Sequence, residues 1–121
     1  MKGIGNDIIE IGRIRKTIDK HGAHFYNKIF TKKELDYCLS YKDPAFSLAG
    51  RFSVKESIAK AVGTGFGPHV SWLDIEILND EKGKPYPQFS QSFNQTFNNP
   101  KILISISHSK LHAISVAIWV E

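Results

Sequence analysis

Apolar and polar positions change period midway along the chain. Residues 3–11, GIGNDIIEI, are rich in isoleucine and predict a strand with two glycines near its start. Ile11, Ile14 and Ile18 then recur at helical spacing, and Gly22 supplies a stop. Phe25, Ile29 and Phe30 predict a second short helical stretch. Thr31-Lys-Lys-Glu34 has the form of a capping box, in which Thr and Glu satisfy each other's orphan backbone donors. It should open a helix carrying Leu35, Cys38 and Leu39. Asp43-Pro44 is a further start signal, an N-cap residue followed by proline at the first helical position. The segment 44–62, PAFSLAGRFSVKESIAKAV, reads as the longest helix. Leu48, Phe52, Ala59 and Val62 share one face and Val54, Ile58 and Ala61 another, so this helix is expected at the centre of the fold.

Gly63, Gly65 and Gly67-Pro68 end that helix, and the period falls to two. Leu73, Ile75 and Ile77 alternate with Asp74 and Glu76, and the turn NDEKGK leads to a second strand near Tyr86–Phe89. Residues 90–99 are polar, with Phe93 and Phe97 four apart, and suit one or two helical turns. Two strands, Ile102–Ser107 and Leu111–Val120, close the chain around a turn near Ser109-Lys110. The last is apolar on both faces, so it should be central in its sheet or covered by another subunit. The expected fold is α+β: a mainly antiparallel sheet packed on a long central helix and shorter N-terminal helices, with residues 1–121 as one domain.

Composition narrows the class. At 121 residues and 41% hydrophobic, the chain can build a core without staples. The single Cys38 excludes an internal disulfide framework or a Cys-rich zinc module, and it reads as core. No apolar run approaches a membrane span. The opening stretch has acidic residues within its apolar run and no small-residue cleavage site, so a soluble, cytoplasmic location is expected. The formal charge of +4 is unevenly placed: residues 13–33 hold seven basic side chains against Asp19 alone, a local +6. That segment is either a solvated face or a surface for an anionic partner, whether nucleic acid, a phosphorylated ligand or an acidic protein.

Candidate chemistry is sparse. Asp7 lies among Ile4, Ile8 and Ile9; it either faces outward or requires a partner or metal. Glu56 precedes Lys60 by one turn, the orientation of a surface ion pair, although the apolar surroundings also allow a charged pair facing a cleft. Arg51 and Lys55 add cationic density to the same helix. GTGFGP is no Walker loop; it is a helix stop that could also present amides to a phosphate. His108 and His112 are four apart, but a strand–turn–strand reading disfavours a zinc pair. His108, its flanking serines and Lys110 could instead meet a phosphate.

Three segments in order resemble one family, the small bacterial holo-acyl-carrier-protein synthases of the 4′-phosphopantetheinyl transferase superfamily. They are Gly3-Ile-Gly-Asn-Asp7 through Arg13, LAGRFSVKESIAKAVGTG at 48–65, and Ser105-Ile-Ser-His108-Ser109, with DIEI…GKPY at 74–86 between the last two. Residues Ser90 to Asn99 are the least family-like. The resemblance implies that fold, and Mg²⁺-dependent transfer of 4′-phosphopantetheine from coenzyme A to a serine of acyl carrier protein in fatty acid biosynthesis. Adenosine 3′,5′-bisphosphate is then released. Carried over residue by residue, Asp7 and Glu56 would hold Mg²⁺, with Glu56 or a water it orients as base, and Lys60 would sit beside the pyrophosphate. Arg51, Lys60, Gly63, Thr64, Gly65, Lys84, Pro85 and His108 would contact coenzyme A. Arg13 matches the family's helix arginine as a docking residue for the acidic carrier protein; charge extends that role to Arg15, Lys16 and Lys20. The family also implies a homotrimer with active sites between subunits. Two rival readings use the same features: a non-enzymatic basic nucleic-acid-binding domain, against which the absence of any known module speaks, and an Mg²⁺-dependent phosphate-ester hydrolase.

Overall fold

Strand β1 (Gly3–Glu10) runs directly into helix α1 (Ile11–His21), one residue earlier than the isoleucine run suggests. The structure, a computed structural model, describes residues 1–121. Ile11 and Ile14 are the buried face of α1, contributing about 2 kcal/mol each against exposure. Gly22 stops the helix at φ +51°, its N–H donating to the Ile18 carbonyl at 2.7 Å. Helix α2 (Ala23–Ile29) follows, then α3 (Lys32–Cys38), opened by the expected capping box of Thr31 and Glu34. Leu35 and Cys38 are buried, whereas Leu39 falls at the helix end and is exposed. Burial pushes the Cys38 thiol up to about 11, consistent with an inert core residue.

Helix α4 (Ala45–Ala61) is the axis of the molecule, with twelve of its seventeen residues buried. Pro44 already has helical angles, and the Asp43 carboxylate accepts from the Ala45 N–H at 3.4 Å, so the start signal acts within one residue of its expected place. The first half of α4 packs with α1 to α3 through Leu48, Ala45 and Phe30. Its second half packs through Val54 and Ile58 against Ile75, Ile77 and Phe93.

A 3-10 turn at Trp72–Asp74 leads into β2 (Ile75–Asn79), which pairs antiparallel with β3 (Pro85–Phe89) as a two-stranded sheet. Helix α5 (Gln91–Thr96), capped by Ser90, accounts for the polar segment and buries Phe93. Strands β4 (Ile102–His108) and β5 (His112–Trp119) form a hairpin, and β1 adds to the other edge of β5, giving the antiparallel order β1-β5-β4. The final strand is therefore central. Its inner positions Ala113, Ser115 and Ala117 face α4, while Ile114 on the outer face is exposed.

Candidate active site

Alternation along β1 sends Gly3, Gly5, Asp7 and Ile9 toward α4, and Ile4, Asn6, Ile8 and Glu10 away from it. Asp7 is thus not an outward-facing residue. The glycines explain how it reaches the helix: a Cβ on Gly3 would stand 2.0 Å from the Ala61 carbonyl oxygen, so only hydrogen fits between strand and helix there. Lys60 Nζ reaches across to Asp7 Oδ1 at 3.3 Å and to the Asn6 carbonyl at 2.9 Å. The i,i+4 ion pair between Glu56 and Lys60 expected from spacing does not form, because the strand offers Lys60 nearer acceptors.

Glu56 is half-buried and lines a cavity of about 370 Å³ together with Asp7, Arg13, Thr17, Phe25 and Phe52. Burial, and next the negative charge of Asp7, hold its carboxyl above the usual glutamate range; Lys60 opposes this. Two carboxylates facing one cavity fit a divalent cation. No third Asp, Glu, His or Cys joins them. That donor set suits Mg²⁺, which takes one or two carboxylates and fills its remaining positions with phosphate oxygens and water. Arg13, from the basic segment, is the unexpected member of this cavity's wall.

The other residues expected to contact phosphate lie elsewhere on the same chain. Arg51 is 5% exposed, on the opposite side of α4 from Lys60. Its guanidinium stacks over Tyr37 at 4.6 Å and donates to Asn79, leaving Nε without a partner. It lines a second cavity of about 410 Å³ with Lys33, Asn79, Gly83 and Tyr86, the turn that carries Lys84 and Pro85. His108 sits near the start of α4, its Nε2 3.0 Å from the Phe46 carbonyl oxygen and its ring against Gly50. His112 points to the other face of the sheet, so the two histidines form no metal pair. In the glycine loop, the Gly63 and Gly65 amides close the end of α4 by donating to the Lys60 and Ala59 carbonyls. Thr64 is exposed beside them. One copy of the chain therefore brings together Asp7, Glu56, Lys60 and Arg13, and leaves Arg51, Lys84, Pro85 and His108 on separate walls.

Two of these cations are paired with carboxylates of the same chain. Lys55 is wholly buried, its ammonium donating to Glu34 Oε1 (2.7 Å) and to the Ile29 and Trp72 carbonyls. Desolvation pulls its pKa down while Glu34 opposes the shift. Arg15 pairs with Asp43 at 2.7 Å, and that bond holds the Asp43 carboxyl below its ordinary value. Lys16 and Lys20 are exposed and unpaired. Sequence patterning missed Tyr37 and Asn79 around Arg51. It also missed Ser53, Ser57 and Ser115 behind Asp7, since small polar residues carry no periodic signal.

A family profile described as the 4′-phosphopantetheinyl transferase superfamily matches residues 3–117. A holo-[acyl-carrier-protein] synthase of Protochlamydia amoebophila is 56% identical over 117 residues, covering 97% of this chain and 96% of its own length. One from Chlorobaculum tepidum is 45% identical over 117 residues, covering 96% of each chain. The fold is also similar to that of the Helicobacter pylori holo-[acyl-carrier-protein] synthase crystallised with coenzyme A. The TM-score is 0.88 at 34% identity, over 96% of this chain and 98% of that one. The Neisseria meningitidis synthase superposes with a TM-score of 0.93 at 31% identity, over 100% and 99% of the two chains.

Proposed function

The chain belongs to the 4′-phosphopantetheinyl transferase superfamily, and from that premise we propose how its own residues carry the reaction. It is a transferase that moves the 4′-phosphopantetheine arm of coenzyme A onto a serine of apo-acyl carrier protein. The serine oxygen bonds to the phosphorus bearing pantetheine, the bridging P–O bond of the pyrophosphate breaks, and adenosine 3′,5′-bisphosphate leaves. The observation that carries the residue assignment is the convergence of Asp7 and Glu56 on one cavity, with Lys60 Nζ bonded to Asp7.

Asp7 and Glu56 would hold Mg²⁺, which when bound neutralises charge growing on the phosphates. Glu56, directly or through a water, takes the serine proton. The Lys60 side chain is half exposed and can turn to a leaving-group oxygen without disturbing the core, where it supplies positive charge and a proton. Arg51, the Gly63-Thr64-Gly65 loop, Lys84, Pro85 and His108 are assigned to the nucleotide and its phosphates. Arg13 is exposed and lines the carboxylate cavity, so it is the docking residue best placed to orient the carrier serine. Lys16 and Lys20 would steer the acidic partner from further along α1.

A homotrimer with sites between subunits reconciles these positions. Ile4, Ile8, Leu103 and Ile114 leave the outer sheet face 46–65% exposed, an apolar surface suited to other copies. Arg51 and His108 of a neighbouring copy could then complete the site that Asp7 and Glu56 begin. No helix is long and apolar enough to cross a membrane, and we place the reaction in the cytoplasm, as a step of fatty acid biosynthesis. The test is the intact mass of an apo-carrier protein incubated with the chain, coenzyme A and Mg²⁺. The phosphopantetheine adduct should form with the natural chain and disappear with Asp7→Ala and with Glu56→Ala. Undiminished adduct in both folded variants would remove the carboxylates from the mechanism.

A further inference from the structure

Behind Asp7, three serine hydroxyls form a chain inside the molecule. Ser53 and Ser57 stand one turn apart on α4 and are wholly buried; Ser115, on β5, is 7% exposed and is the cross-strand partner of Asp7 in the β1–β5 ladder. Ser57 Oγ lies 2.6 Å from Ser115 Oγ, Ser115 Oγ lies 2.7 Å from Ser53 Oγ, and Ser53 Oγ lies 3.3 Å from the Asp7 carbonyl oxygen.

The direction of this chain follows from its last link. A carbonyl oxygen only accepts, so Ser53 donates its single proton to Asp7. Ser53 must then accept from Ser115, which has no proton left for Ser57 and must accept from it. The order Ser57→Ser115→Ser53→Asp7 uses every hydroxyl proton once. Lys60 Nζ holds the preceding carbonyl, that of Asn6, at 2.9 Å. Side chains of α4 thus grip both peptide carbonyls around the Asp7 Cα, while the glycines before it remove any side-chain spacer. In the apolar gap between sheet and helix, three alanines would pack with less desolvation cost, so the hydroxyls call for a role beyond filling space.

We propose that Ser53, backed by Ser115 and Ser57, is a positioning residue that fixes the Asp7 main chain against α4 and so sets the separation of the Asp7 and Glu56 carboxylates for a divalent cation. The inference rests on the assignment of those carboxylates as metal ligands. It does not make the serines ligands, since their hydroxyls are directed to one another and to the backbone. Outer partners that orient ligands typically cost 10–100-fold in metal affinity when removed.

The test is direct titration of Mn²⁺ by electron paramagnetic resonance, with coenzyme A present, on the full chain and single variants, alongside chemical denaturation. Ser53→Ala should weaken Mn²⁺ about tenfold. Ser115→Ala should weaken it less, because Ser53 still reaches Asp7, and Ser57→Ala least. The losses of stability should be alike, because all three side chains are buried. Ser53→Cys, which keeps a weak donor, should fall between Ser53→Ala and the natural chain, and it serves if the alanine variant folds poorly. Natural Mn²⁺ affinity in folded Ser53→Ala, or equal weakening across the three serines, would overturn the positioning role. Asp7→Ala is the separate control. If it binds Mn²⁺ like the natural chain, the carboxylate assignment fails, and the serine inference with it.

Discussion

Gly5 lies directly on the backbone of α4 at Ser57: a Cβ placed on Gly5 would come within 2.1 Å of the Ser57 carbonyl oxygen. Strand and helix therefore touch main chain to main chain, and that contact lets Asp7, two residues on, share a cavity with Glu56. Gly5→Ala should cost about 3 kcal/mol or more in denaturant unfolding, since the obstacle is helix backbone rather than a movable side chain. Its transfer activity should fall further than stability alone explains. Gly12, which has nothing within 4 Å of its Cβ position, is the contrast. Gly12→Ala on α1 should gain up to about 1 kcal/mol.

Glu56 gives the reaction a pH signature. Its carboxyl is raised by burial and by Asp7 in the metal-free site, and the step needs it ionised, so at limiting Mg²⁺ the acidic limb of kcat/KM should lie above the range of an ordinary glutamate and move to lower pH as Mg²⁺ saturates. Stability of the metal-free chain runs the other way. A folded pKa above the unfolded one makes this contribution full below the unfolded value and lost as pH rises through the folded value. Glu56→Gln should abolish this acid-side gain in thermal unfolding. At limiting Mg²⁺, an acidic limb at the ordinary glutamate range would point to another group as the base.

The buried Lys55–Glu34 pair predicts a large and non-additive loss. Glu34 also accepts from the Thr31 and Ile77 N–H groups, while Lys55 also donates to two carbonyls. Lys55→Met alone leaves a buried carboxylate without its cation and should cost about 3–5 kcal/mol. Glu34→Gln/Lys55→Met together should cost less than the sum of the singles, but should not regain natural stability, because the backbone carbonyls remain without their donor. Additive costs in denaturation would show the two groups to be energetically independent.

Arg13 and Arg15 should separate in steady-state kinetics. Arg13→Glu should raise the KM for carrier protein about tenfold while leaving that for coenzyme A nearly unchanged, and should flatten its salt dependence. Arg15 is tied to Asp43, so Arg15→Glu should have a smaller effect on carrier-protein KM. An unchanged carrier-protein KM in Arg13→Glu would move the docking surface away from this cavity.

The exposed sheet face tests the assembly. Ile8→Asp puts a carboxylate at the most exposed of its four isoleucine and leucine positions. Light scattering should report a trimer for the natural chain and a smaller species for the variant, with transfer activity lost although circular dichroism is kept. A variant that remains trimeric would place the subunit contact on a different face.

Much of this was legible along the chain because helix and strand periods are local properties. The capping box at Thr31 and Glu34, the glycine stop after α1, the central helix and the final hairpin all fell within a residue or two of their expected places. The family was legible too, since its motifs are short, ordered and spaced. Spacing failed where a side chain could choose between neighbours. Lys60 had Glu56 one turn away and bonded Asp7 instead, and Lys55, expected only to add cationic density to α4, was drawn inside by a glutamate from α3.

The sequence by itself determined the elements, the basic character of α1 and the residue types available for phosphate chemistry. Only the tertiary structure decided that Gly3 pairs with Trp119, that β1 and β5 present Asp7 and Ser115 to the same helix, and that Arg51 and His108 stand on other walls. The reason is physical. Periodicity says which face of a segment avoids water, but not which distant segment will cover it. Close approach of β1 to α4 depends on two missing side chains, and absent atoms leave no pattern of their own in a hydrophobic plot. The isoleucine-rich run GIGNDIIEI marked a strand; its glycines and the helix they admit turned that strand into one wall of a site.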